Sequence, residues 1–228
     1  MAESVRVQIY TMQDVDEAHA VARLGVDHIG VTPAALGLPG EITPSLAAEI
    51  CDAVRGLAVS VALSVDRDLP TIEHMVRTVA PDVLHHCAPP AVLGPGAVAN
   101  LRRALPVVAI MQAIAMTSWE AVDVARAYGP VVDFLILDSV DPKIPGIGAA
   151  GVVHDWAVSA AIVEAVDVPV ILAGGLSRAN VAAAIEAVQP WGVDSLTHTN
   201  RPLPDGGFRK DLSRVAAFVD AARGASPA

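Results

Sequence analysis

Short β-branched runs alternate with longer stretches of helical spacing along the whole chain. That rhythm is the mark of βα units and a parallel sheet. The apolar runs are VRVQIY (5–10), DHIGVT (27–32), AVSVALSV (58–65), DVLHH (82–86), PVVAIMQ (106–112), DFLILD (133–138), PVILAG (169–174) and DSLTHT (194–199). Helical periodicity predicts helices near 12–24, 44–56, 69–79, 95–104, 117–128, 155–166, 177–188 and 210–223. Thr43 before Pro44, Thr117 with Glu120 three residues on, and Ser177 are the expected N-caps. Eight strands, each followed by a helix, predict an α/β fold: a (β/α)8 TIM barrel forming one domain over residues 1–228. A doubly wound sheet fits the alternation but suits the number eight less well.

Composition narrows the partners. The 228 residues are 53% hydrophobic and 18% charged, enough for one large core, and carry a formal charge of −10. With no Lys/Arg cluster, nucleic acid and anionic membrane are not expected partners, and a small-molecule substrate is. The apolar stretches 107–116 and 168–176 are too short to span a bilayer, and MAESVRVQIY lacks a signal-peptide pattern. A cytoplasmic monomer or homodimer is expected. Cys51 and Cys87 make neither a disulfide framework nor a zinc spacing, and no cofactor or structural metal is expected.

On a barrel the active site gathers at the C-terminal ends of the strands. The residues predicted there are Tyr10, Thr32, Asp66, His86 with Cys87, Gln112, Asp138, Gly174-Gly175 and Thr197-His198. Asp138 closes an apolar strand, where desolvation raises a carboxyl pKa and suits it to act as a general acid. The Gly- and Pro-rich segment 139–154 that follows is expected to cover it. Alternation sends His85 and His86 to opposite faces. If His86 faces inward, it is a candidate base. Tyr10 is a candidate hydrogen-bond donor or a ring filling space. Gly174 and Gly175, ahead of a helix, suit an anion, with Arg178, Arg201 or Arg209 as candidate cations. His86, His198 and Asp138 together are the conceivable metal set, of the two-histidine, one-carboxylate kind.

The order of motifs LDS (137–139), GAAGVVHDW (148–156), VPVILAGGLSRANVAAAI (168–185), GVDSLTH (192–198) and KD (210–211) resembles the phosphoribosylanthranilate isomerase family. VDHIGVTP (26–33) and DVLHHC (82–87) extend the similarity over nearly the whole chain. The resemblance implies a barrel that runs an Amadori rearrangement of an aminoaldose to an aminoketose, with Asp138 as the acid toward the furanose ring oxygen. The family's Lys-Ile-Cys-Gly, whose Cys removes the sugar C2 proton, corresponds to VQIYTM, so Tyr10 stands at the catalytic Cys position. Its Ser-Pro-Arg corresponds to Leu38-Pro39-Gly40, so Gly40 stands where the family's Arg holds the anthranilate end. Its Ser-Ser-Gly corresponds to Leu196-Thr197-His198.

The expectation is therefore a proton-transfer isomerase on a small sugar or sugar-phosphate-like substrate. Asp138 is its acid, His86 or Tyr10 lies opposite, and Gly174, Gly175, Thr197 and His198 bind the substrate or its phosphate. A metal-assisted lyase or aldolase on a carbonyl compound and a non-catalytic ligand-binding barrel are the alternatives.

Overall fold

A computed structural model describes residues 4–204 and 206–225. Eight parallel strands close on themselves in chain order: β1 (Arg6–Ile9), β2 (His28–Val31), β3 (Val59–Ser64), β4 (Val83–His86), β5 (Ala109–Ala115), β6 (Phe134–Asp138), β7 (Val170–Leu172) and β8 (Gly192–Ser195). Around them lie α1 (Val15–Ala22), α2 (Pro44–Ala53), α3 (Leu69–Val79), α4 (Pro95–Ala104), α5 (Ala121–Tyr128), α6 (Trp156–Ala165), α7 (Val181–Val188) and α8 (Leu212–Gly224). The ring is sealed where β1 pairs with β8, from Arg6 opposite Gly192 to Ile9 opposite Ser195.

Strand alternation sorts the side chains into two cores. Val7, Ile9, Leu84, Ile110, Leu135 and Val193 point outward and pack under the helices. Val61, Val83, Met111, Ile136 and Ile171 point inward and fill the barrel. At its N-terminal end His28, Phe134 and Trp191 meet ring to ring, with centroids 5.3–6.0 Å apart, and plug the floor.

Several helix starts follow local chemistry. Thr43 Oγ1 accepts from Leu46 N at 3.2 Å, with Pro44 opening α2. Asp68, Asp155 and Asp211 cap α3, α6 and α8 in the same way. The expected caps at Thr117 and Ser177 do not start helices. Both begin turns: α5 starts at Ala121, and Asn180 Oδ1 accepts from Ser177 N at 2.7 Å ahead of α7.

The segment after β8 also differs from expectation. Thr197–Thr199 form a 3-10 turn, and β9 (Asn200–Pro202) pairs antiparallel with β10 (Phe208–Lys210). This hairpin docks on the start of α1 through Arg209 Nη1–Asp14 Oδ2 at 2.5 Å and Lys210 N–Glu17 Oε1 at 2.6 Å.

Candidate active site

The C-terminal ends of the strands open into a mouth that holds Tyr10, His85, Asp138 and Asp194. Its walls are apolar, with Leu38, Leu63, Val65, Ile136 and Ile147 among them. Among the described residues no Lys or Arg lines it. The room open to the centres of water-sized molecules is about 70 Å³.

Asp138 ends β6 and points into this mouth from beneath the loop that follows. Its Oδ1 accepts from Ser139 N at 2.7 Å, and Ala149 N–H also donates to the carboxyl. Gly148 runs so close that a β-carbon there would stand 2.8 Å from Asp138 Oδ2. Ile147 N donates to Cys87 O at 3.0 Å and pins the loop across the mouth to β4. Farther on, the loop passes Gly151 beside Thr197, then Val152 and Val153 against Gly175. Segment 139–154 thus spans from β6 to the ends of β7 and β8, directly over the acid. Burial in this apolar collar raises the Asp138 carboxyl from 3.8 to about 7, against the two backbone donors that lower it.

Asp194 was not among the sequence-predicted site residues. The expected strand 194–199 put it at a strand start, but β8 runs Gly192–Ser195, and Asp194 is its inward residue near the mouth. Its Oδ1 accepts from Gln8 Nε2 at 3.1 Å. Gln8 Oε1 in turn meets His28 Nδ1 at 3.1 Å. Burial first, and the charge of Asp138 second, raise Asp194 to about 7, while Gln8 and Lys210 oppose the rise. Two carboxyls in one apolar mouth discourage each other's ionisation, so one of them keeps its proton near neutral pH.

The two histidines of β4 are sorted in the opposite sense to the one that would make His86 a base. His85 is the inward one and lines the mouth; His86 faces the helix layer, fully buried, with Nδ1 2.7 Å from Gln112 Oε1. Gln112 is not at a strand end either. It lies in the middle of β5, with Nε2 bonded to Ala113 O at 2.9 Å. His86, His198 and Asp138 therefore do not converge, and among the described residues no group of three or more His, Cys, Asp or Glu could hold a metal.

Tyr10 and His85 form a pair, with Oη 3.0 Å from Nδ1 and ring centroids 5.5 Å apart. Burial drives the Tyr10 phenol well above its ordinary range and the His85 imidazole down to about 3. Both are neutral. The phenol then donates to Nδ1, which leaves the proton of His85 on Nε2, a buried atom with no partner among the described residues. A phenol held this way is a donor and no base.

Gly174 and Gly175, with φ of +80° and +63°, follow β7 at the mouth, and Thr197 and His198 line it from the turn after β8. A β-carbon on Gly174 would meet His154 Nδ1 at 2.7 Å, and one on Gly175 the backbone of Val152 at 2.7 Å. Glycine is required at both because loop 139–154 presses on this turn. Lys210, expected at the head of a helix, ends β10 instead, with its ammonium buried and bonded to the Tyr10 and Leu196 carbonyls and to Asn200 Oδ1.

A closed parallel barrel whose sixth strand ends on an inward acid, beneath a long loop and beside a glycine turn, is the frame of an isomerase-like barrel enzyme. Comparison with known proteins gives the family. A model of N-(5'phosphoribosyl)anthranilate (PRA) isomerase matches residues 7–220. The N-(5'-phosphoribosyl)anthranilate isomerase of Halobacterium salinarum is 36% identical over 212 residues, 90% of this chain and 88% of that one. Its counterpart in Haloferax volcanii is 33% identical over 222 residues, 96% and 93% of the two chains. The crystal structure of phosphoribosyl anthranilate isomerase from Thermotoga maritima shares the fold, with a TM-score of 0.77 at 22% identity over 96% of this chain and 99% of that one. The chain belongs to the PRA isomerase family.

Proposed function

We propose that the chain is a cytoplasmic, single-domain isomerase, monomeric or homodimeric, that converts a small aminoaldose phosphate into the corresponding aminoketose. The carrying observation is Asp138: an inward carboxyl with its pKa raised to about 7, covered by a loop that gives it two backbone donors. In its protonated form it gives its proton to the furanose ring oxygen as the ring opens. A pKa near the working pH is what a general acid needs.

Gly174, Gly175, Thr197 and His198 receive the phosphate. Two glycines with positive φ let the backbone approach an anion, and the polar groups after β8 face it. The amino substituent lies toward Leu38 and Pro39, where no cation among the described residues lines the wall. This end accepts an uncharged substituent more readily than a carboxylate, which would lose water without gaining a partner.

The test is turnover of PRA beside the analogue in which phenyl replaces carboxyphenyl. The expected result is conversion of both, with the uncharged analogue at the higher kcat/KM. Asp138→Asn should lower kcat by about 10²–10⁴-fold. Absence of turnover with either compound, in a protein whose fold is verified by circular dichroism, overturns the proposal.

A further inference from the structure

Tyr10 stands where the chemistry needs a proton acceptor, yet its hydroxyl is spent on His85. His86 is on the wrong face, and Cys87, inward on the β4 side, is fully buried with its Sγ directed at His85 O, 3.9 Å away. One further group in the mouth has the right chemistry and a free side. Asp194 accepts one hydrogen bond, from Gln8 to Oδ1, and the described residues offer Oδ2 none.

We propose that Asp194 is the base of the reaction and that Gln8, fixed by His28, is the positioning residue that aims its carboxylate. The proposal rests on the isomerase function above and adds the missing half of its proton transfer.

The step balances without any co-reactant. Asp138 gives its proton to the ring oxygen, the C1–O bond breaks, and the substrate nitrogen shares its lone pair to form a C1=N iminium. Asp194 takes the C2 proton. The C2–H electron pair becomes the C1=C2 bond, and the nitrogen recovers its lone pair. The enolamine then tautomerises: the C2 hydroxyl loses its proton, C1 gains one, and the aminoketose is an isomer of the starting compound.

Three features of the site support this division of labour. Asp194 and Asp138 line one cavity from β8 and β6, so a small sugar ring between them can meet both. The partner of Asp194 is a neutral amide, which orients the carboxylate, and the lowering it causes is set against the larger rise from burial and Asp138. The amide is itself held the right way round, because neutral His28 has Nδ1 against Gln8 Oε1, leaving Nε2 for Asp194. The titratable groups that share the mouth with Asp194 or act on it are Asp138, Tyr10, His85, Cys87 and Lys210, and His28 reaches it through Gln8. Asp138 raises its pKa and Lys210 lowers it.

Two measurements test the proposal. In the first, the pH dependence of PRA turnover is recorded for the wild type, Asp194→Asn, Asp194→Glu, Gln8→Leu and Gln8→Lys. Asp194→Asn should lose about 10²–10⁴-fold in kcat with KM little changed, and Asp194→Glu should recover part of it. Gln8→Leu should move the acidic limb of the profile to higher pH and Gln8→Lys to lower pH; a merely structural Gln8 would give losses without opposite shifts. Full kcat in Asp194→Asn, beside a dead Asp138→Asn, overturns the base and leaves the isomerase standing.

In the second, infrared titration of the protonated carboxyl band needs no turnover. Asp194→Asn should remove one buried carboxyl and lower the titration of Asp138, since a like charge is gone. An unmoved Asp138 overturns the pairing. If the wild type turns over neither PRA nor its phenyl analogue, the function above loses its support, and this titration alone decides on Asp194.

Discussion

Gly30 lies flat beneath the ring of Tyr10: a β-carbon at position 30 would stand 2.3 Å from Tyr10 Cδ1. The aromatic ring at the end of β1 therefore depends on a bare backbone on β2. Gly30→Ala is expected to push the ring off its seat and destabilise the fold by about 1–3 kcal/mol, read by urea unfolding. In the background of Tyr10→Cys the same substitution should cost much less, because the ring it collides with is gone. Equal costs in both backgrounds would show that the ring does not set the requirement.

The Tyr10 hydroxyl should matter to the fold more than to the chemistry. Tyr10→Phe leaves His85 Nδ1 without its donor, a loss of about 1–2 kcal/mol in unfolding free energy. Its kcat on PRA should stay within about tenfold of the wild type, far from the loss expected on removing a general base. A drop as deep as that of Asp138→Asn would restore Tyr10 to the proton transfer.

His86 and Gln112 make a buried pair behind the barrel wall, 2.7 Å apart. Replacing either with Leu leaves the other short of a partner and should cost about 1–3 kcal/mol. Turnover per folded molecule should be unchanged. A selective loss of kcat in His86→Leu, with stability intact, would contradict the placement of His86 outside the mouth.

Asp138 should leave a signature in stability against pH. Its carboxyl is raised from 3.8 to about 7, so the stability it contributes is present below pH 4 and is lost as pH rises through about 7. The buried imidazoles of His28, His85 and His154, lowered to about 4, 3 and 4, act in the other direction, losing stability as pH falls from 6.5. The informative quantity is therefore the wild type minus Asp138→Asn, which cancels the histidines. That difference should fall between pH 4 and pH 8; a flat or rising difference would mean that Asp138 is ionised throughout.

Gly40 resists a simple graft of the family's arginine. Its φ is +68°, and a β-carbon there would stand 2.5 Å from Phe208 Cζ and 3.0 Å from Thr11 Oγ1. Gly40→Arg should destabilise by on the order of 1–3 kcal/mol, measured by thermal or urea unfolding. Adding it to Tyr10→Cys should therefore not raise PRA turnover above that of Tyr10→Cys alone.

The barrel was legible because strand alternation and helix spacing mark eight units without competition from any other pattern. Individual registers were harder. In LPVVAIMQAIAM every position but Gln112 is apolar, so nothing marks the strand as Ala109–Ala115, and the lone polar residue reads as its end. In VLHH both faces carry one apolar residue and one histidine, so composition cannot tell inward from outward. Only the ring of paired strands does, since His85 stands beside inward Met111.

Asp194 is hidden in a four-residue strand that starts at Gly192, two residues before the expected run 194–199. A carboxylate flanked by Val193 and Ser195, two positions along from Gly192, was nonetheless a visible signal. So was the turn-rich sequence PDGG (204–207), which separates the two segments that pair as β9 and β10.

The first and last strands of the ring join residues 186 positions apart, Gln8 to Asp194, and the Lys210 ammonium is buried across that joint on the carbonyls of Tyr10 and Leu196. During synthesis β1 must wait, with one edge unpaired, until β8, whose Asp194 lies 186 positions after Gln8, has left the ribosome. A truncation that stops short of Gly192 should therefore yield an open, adhesive sheet, because an exposed strand edge recruits another chain where its own last strand is missing.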